Sequence, residues 1–202
     1  LGDVYKRQGN DRLEIRQGPQ QGFCQNFLSM ACDSDIRADL YAFSDQDDIW
    51  MADKLARAVA YFKASNESQL PRAYGSRTQI VDEALSPLGF SPEFTMPSSF
   101  RNALVQSIAG GNTQVFNQAT KQLFEQAGRQ KVVSHDWWLY QIVKGAGGIF
   151  YYDPSPSLLY RQHSNAIVGA NSSFRSKIKR IFYVFNGRFK NWNDINYAAL
   201  CN

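Results

Sequence analysis

The chain has 202 residues, of which 44% are hydrophobic, 14% aromatic and 20% charged. This is enough apolar surface for one large core, which excludes a disordered polypeptide and a disulfide-stapled miniprotein. The net charge of +4 is unevenly placed, because Arg161, Arg175, Lys177, Lys179, Arg180, Arg188 and Lys190 lie between Asp153 and Asp194 with no acid among them, so an acidic body carries a basic tail. No run approaches the ~18 apolar residues of a spanning helix, and Cys24, Cys32 and Cys201 are an odd number without CxxC spacing, which argues against a disulfide framework or cysteine zinc site and fits a reducing compartment.

Residues 1–9 fit neither a strand nor a capped helix and read as a leader foreign to the domain. Residues 13–16 alternate like a short strand, and residues 22–32 place Phe23, Phe27 and Met30 at helical spacing. The apolar run Leu40, Tyr41, Ala42, Phe43 predicts a strand covered on both faces, ending in Ser44 and three acids. A helix over 52–64 follows, with Leu55, Val59 and Phe62 on one stripe. This alternation predicts an α/β fold, a mixed sheet flanked by helices.

Residues 72–81 read as one strand and 87–97 as a proline-rich loop. A helix over 98–108 should face Phe100, Leu104 and Ile108 inward. After Gly110 and Gly111 come a strand over 112–116, a helix over 118–127 closed by Gly128, and a helix over 134–144 closed by Gly145. Strands over 149–152 and 157–160 follow, then an amphipathic helix over 173–185 and a weakly defined end.

Asp45, Asp47 and Asp48 crowd three carboxylates at the carboxyl end of a strand, the edge where open α/β sheets bind ligands. Capping of the next helix is the plain structural use of such acids. A cap needs only one, however, and three repel unless a cation or proton intervenes. Oxygen-rich sets of this kind suit Mg²⁺ or Mn²⁺ bridging carboxylates and substrate phosphates.

The segment Phe43, Ser44, Asp45, Gln46, Asp47, Asp48, Ile49, Trp50, with Asp53, Lys54 and Leu55 after it, resembles the DxD segment of family 2 glycosyltransferases, the rhamnosyltransferase-like bacterial group in particular. Three later blocks resemble the same group in the same order: Gly111, Asn112, Thr113 with Val115, Phe116, Asn117; then His135, Asp136, Trp137, Trp138; then Tyr160, Arg161, Gln162, His163 with Asn165 and Gly169. The resemblance implies a GT-A fold over residues 10–171, a nucleotide-diphosphate sugar donor and a divalent cation, Mn²⁺ or Mg²⁺, on its diphosphate. It assigns Asp45, Asp47 and Asp48 to the donor, with Asp47 at the metal, and makes Asp136 the base that deprotonates the acceptor hydroxyl, with inversion at the anomeric carbon.

Plainer readings stand beside these assignments. Asp136 also suits a helix first turn with Ser134 as N-cap. Trp137 and Trp138 could offer a sugar an apolar face or pack in the core, and one of each is expected. Arg161 and His163 are assigned to donor phosphate, and His163 to the metal, although a lone histidine is more often a core residue. Gly111 and Asn112 are placed near the acceptor, although Gly110 and Gly111 equally make a turn.

No strand and aspartate-bearing loop for a nucleotide base precede Leu13, which predicts a GT-A domain lacking its first β-α units by truncation, or an inactive remnant. Residues 172–202 form the basic segment, with Phe174, Ile178, Ile181, Phe182 and Phe185 on one side of a helix. It would pack on the domain or rest on an anionic cytoplasmic membrane surface near a lipid-linked acceptor. Without a recognised nucleic-acid module, the basic stretch does not argue for nucleic acid. The expected activity is therefore sugar transfer to a saccharide or lipid-linked acceptor in bacterial surface polysaccharide synthesis, in the cytoplasm or at the inner face of the membrane. Metal-dependent phosphoester hydrolysis and non-catalytic sugar-nucleotide binding are the alternatives.

Overall fold

The computed structural model describes residues 14–64, 69–162 and 188–201. Two four-stranded mixed sheets carry the architecture. In the first, β1 (Leu40–Ala42), β6 (Val115–Asn117), β3 (Arg72–Ser76) and β7 (Ile149–Asp153) lie in the order β1-β6-β3-β7. β6 runs antiparallel to both neighbours, and β3 pairs in parallel with β7. The second sheet has the order β2-β8-β4-β5, from β2 (Ile49–Trp50), β8 (Leu158–Arg161), β4 (Gln79–Val81) and β5 (Pro87–Phe90).

Strand alternation divides the core around the first sheet. On one face Ala73, Phe116 and Phe150 meet α1 (Phe23–Ala31), α4 (Gln118–Ala127) and α5 (His135–Gly145), in a cluster with Leu28, Phe43, Phe124, Trp138 and Tyr140. On the other, Tyr74 and Val115 meet Ala58 of α2 (Lys54–Lys63). From Trp137 to Val143 every residue of α5 is buried, as expected of a helix with packing on several sides.

The sequence periodicity and the structure part company at several elements. Residues 14–16 pair with no described strand; Arg16 instead bonds Glu14 at 2.7 Å and pairs with Asp33. β1 lies at the edge of its sheet with Ala42 exposed, rather than covered on both faces. α1 buries Cys24, Leu28 and Ala31 while Phe23 and Met30 face outward. α2 buries Lys54 and Ala58 and leaves Leu55 45% exposed. Helix packing selects the face here, and a neighbouring i, i+4 row won in both cases.

The single strand expected over 72–81 is two strands in different sheets. Between them the Arg77 N–H bonds the Asp153 oxygen at 3.0 Å and the Arg77 oxygen accepts from the Ser157 N–H at 3.2 Å, so the chain changes sheets with its polar groups paired. The loop expected at 87–97 contains β5, joined to β4 by a turn in which the Asp82 carboxylate accepts from the Ser86 N–H at 2.8 Å. The helix expected over 98–108 is one turn, α3 (Phe100–Ala103), capped by Ser99; Ala103 is its one buried residue, so no apolar stripe holds a longer helix.

The end of the chain forms α6 (Arg188–Leu200), whose Asn196 carboxamide accepts from the Val133 N–H at 3.1 Å and whose Ala199 joins the main core. The helix expected at 173–185, residues 1–9 and His163 lie outside the described residues.

Candidate active site

Phe43 is buried at the end of β1, and the chain then presents Asp45, Asp47 and Asp48 half-buried in the connection to β2. Burial pushes the Asp45 carboxyl up to about 6, and the nearby charges of Asp48, Asp47 and Asp136 add to the effect while Lys54 opposes it. Asp45 therefore senses both the other acids of its own segment and Asp136, 91 positions later in the chain. The Asp48 carboxyl is raised too, chiefly by burial, against the hydrogen bond from Asn112 and the Arg161 main chain.

Capping does not account for these acids. β2 separates them from α2, whose N-cap position is Asp53, and that side chain makes no capping bond. A charge that opposes their crowding is Lys54, 1% exposed at the first position of α2. Burial lowers its ammonium to about 8, opposed by the attraction of Asp48 and Asp45. The ammonium donates to the Asn112 main-chain oxygen and lies 3.6 Å from the centre of the Trp50 ring.

A 3₁₀ turn, Gly111–Thr113, brings the second block to the same place. The Asn112 side-chain amide donates to Asp48 Oδ2. Gly111 packs against the third block: a Cβ there would lie 2.4 Å from His135 Nε2 and 3.3 Å from the Asp136 Cβ. Gln114 Nε2 donates to the Asp136 main-chain oxygen and to the Ala109 oxygen, both at 3.1 Å. Asp136 is half-buried in the first turn of α5, and its Oδ1 accepts from the Trp137 N–H at 2.9 Å. Ser134 holds the N-cap position without a side-chain capping bond. His135, 5% exposed, stacks on Phe27 at 4.0 Å and meets Phe43 edge-on at 4.7 Å. Burial lowers its pKa against the pull of Asp136.

No family model matches the chain. It is 33% identical to the dTDP-rhamnosyl transferase RfbG of Shigella flexneri over 177 residues, covering 82% of this chain and 57% of that relative. The chain belongs to the rhamnosyltransferase-like glycosyltransferases. It spans little more than half the length of the curated relative it matches. Its two mixed sheets flanked by helices are consistent with a GT-A-like fold.

Of the residues that the glycosyltransferase resemblance singles out, the structure gathers Asp45, Asp47, Asp48, Gly111, Asn112 and Asp136 around one region. Arg161 reaches it through its main chain, which stabilises the Asp48 carboxylate. The sugar-facing tryptophan is a correction. Trp137 and Trp138 are both buried, with Trp137 Nε1 donating to the Ala103 oxygen at 2.6 Å, because α5 is packed on the sides that carry them. His163 lies outside the described residues. Sequence reasoning assigned no role to Lys54 and Tyr160. Burial raises the Tyr160 hydroxyl, and the charges of Asp48, Asp45 and Asp47 add to the effect. The one sequence signal for Lys54 is its apolar context, a lysine opening an amphipathic helix directly after an acid cluster.

Among the described residues no three His, Cys, Asp or Glu side chains are grouped to hold one metal ion. The donor set suits an ion held by one or two carboxylates and completed by a ligand's phosphates, the mode Mg²⁺ favours. Asp48 Oδ1, buried without a hydrogen bond of normal geometry, leaves oxygen capacity for such an ion. Among the described residues no helix is long and apolar enough to cross a membrane.

Proposed function

We propose that this chain carries the reaction centre of an inverting glycosyltransferase that moves a sugar from a nucleotide-diphosphate donor to a hydroxyl of a saccharide or lipid-linked acceptor. The observation that carries the reading is the Gly111–Asn112 turn, which packs on Asp136 through Gly111 and binds Asp48 through the Asn112 side chain, so that the would-be base and the would-be donor acids share one turn. The relative's name supplies dTDP-rhamnose as the donor to try first.

In this reading the acceptor oxygen attacks the anomeric carbon, the bond from that carbon to the diphosphate oxygen breaks, and the acceptor proton passes to the Asp136 carboxylate. The Trp137 N–H and the Gln114 contact with the Asp136 main chain hold that carboxylate in place. Asp45, Asp47 and Asp48 line the donor end, and Asp47, with His163, would hold Mg²⁺ or Mn²⁺. Such an ion supplies positive charge to the departing diphosphate. The Arg161 side chain, at the end of β8 beside Asp48, belongs to the donor phosphates. The product would enter a bacterial surface polysaccharide, and the basic stretch of residues 172–202 would rest on the anionic inner face of the membrane.

The test is transfer from dTDP-rhamnose by the purified protein with Mn²⁺, wild type against Asp136→Asn. The carboxamide can still accept from the Trp137 N–H, so the fold should survive while kcat falls about 10²-fold or more. Equal turnover by the variant would remove Asp136 from the chemistry.

A further inference from the structure

A depression of about 420 Å³ lies away from the acids, between α2 and β7, the edge strand of the first sheet. Arg57, Ala60, Tyr61 and Ala64 form one wall, at the i, i+3, i+4, i+7 positions of a single helical stripe. Tyr74, Tyr151 and Asp153 form the other. The hollow exists because the two alanines leave room beside the aromatic rings.

We propose that this hollow is a saccharide-binding subsite, holding a sugar of the acceptor chain that lies beyond the reacting one. The proposal rests on the reading of the protein as a glycosyltransferase with a saccharide acceptor. Its accessible ring is Tyr151, 42% exposed and braced by a stack on Tyr61 at 4.6 Å with an interplanar angle of 18°, while Tyr74, 5.8 Å from Tyr151, is buried behind them. Such rings present an apolar face and a polar tip, the pairing that a sugar's C–H face and hydroxyls need. The charged groups are already matched. Arg57 Nη2 and the Tyr74 hydroxyl both donate to Asp153 Oδ2 at 2.5 Å, and Arg57 also donates to the Ser155 and Pro156 oxygens at 2.7 Å. A phosphate or a cation would meet no uncompensated partner here, whereas a neutral polyol can share the lone pairs of a fixed carboxylate.

α2 links the two places. Its first residue, Lys54, sits among the acids, and the stripe from Arg57 to Ala64 begins one turn further on, roughly 5–15 Å along the axis at 1.5 Å per residue. The hollow opens on the face of the first sheet away from α5, so an acceptor chain leaving Asp136 would reach it by passing round the sheet end where α2 begins.

Calorimetric titration of the purified protein with a rhamnose trisaccharide, without nucleotide or metal, tests this. Binding should occur in the wild type and weaken at least tenfold in Tyr151→Ala and in Ala60→Arg, which fills the mouth from an exposed helix position and leaves the ring stack intact. No binding at millimolar trisaccharide, or undiminished binding by Ala60→Arg, overturns the subsite. A transfer assay separates the two claims. Ala60→Arg should raise KM for the trisaccharide and leave turnover on a monosaccharide acceptor unchanged. Transfer without calorimetric binding would sink the subsite alone, and binding without transfer would sink the reaction alone.

Discussion

The buried ammonium of Lys54 donates to the main-chain oxygen of Asn112, and the side chain of Asn112 in turn donates to Asp48. Two residues 58 positions apart thus tie the start of α2 to the Gly111–Thr113 turn and enclose the acids between them. The positive charge that relieves the carboxylate crowding comes from the protein itself.

Lys54→Met should therefore cost about 2 kcal/mol, the scale of a hydrogen bond to a charged group lost from a buried site. Urea denaturation reads the loss. The Asp45 carboxyl should also move above its value of about 6, because a positive charge that lowers it is gone; carboxyl NMR titration checks the direction.

Gly111 is held against His135 and Asp136 too closely for a side chain. Gly111→Ala must push the imidazole or the turn aside, at a cost of about 1–3 kcal/mol for overpacking, and should shift Asp136. Turnover should fall at least tenfold while Gly128→Ala, remote from the acids at the end of α4, loses stability without a comparable loss of turnover per folded molecule.

Asn117 ties the start of β3 and the first turn of α4 to its own strand. Its Oδ1 accepts from the Arg72 N–H at 3.0 Å and the Thr120 N–H at 3.1 Å, and its Nδ2 donates to the Leu70 oxygen at 2.8 Å. Asn117→Ala removes a helix cap and leaves a strand N–H unpaired, so a loss of about 2 kcal/mol or more is expected in thermal or urea unfolding.

Burial alone would raise the Asp153 carboxyl, but hydrogen bonds from Tyr74 and Arg57 outweigh it and hold the group below its ordinary value of 3.8. The folded state thus favours the ionised form. The resulting stability is present above pH 3.8 and is lost as pH falls through the folded-state value. Asp153→Asn should be less stable than wild type at neutral pH, with the gap in Tm narrowing under acid.

Local chemistry made some elements legible. The helix at 118–127 begins after Asn117, which caps it, and stops at Gly128 with φ of 67°, so the expected and observed bounds coincide. The helix after Ser134 and the strand from Ile149 were equally readable from apolar runs bounded by turn residues. The split of 72–81 was not, since the change of sheet depends on bonds to Asp153 and Ser157, about 80 residues away. Nor was the inward face of α1 or α2, where two adjacent apolar stripes compete and only the packing partner chooses.

By itself the amino-acid order determined the acid cluster, the ordered motif blocks and the mixed α/β class, because residue chemistry and backbone periodicity act over a few neighbouring positions. Only the tertiary structure decided that Lys54 is buried among the acids, that Asp136 packs on the turn whose Asn112 binds Asp48, and that Trp137 and Trp138 are buried. Those outcomes depend on which surfaces exclude water together, and burial is a property of the assembled fold rather than of any one segment.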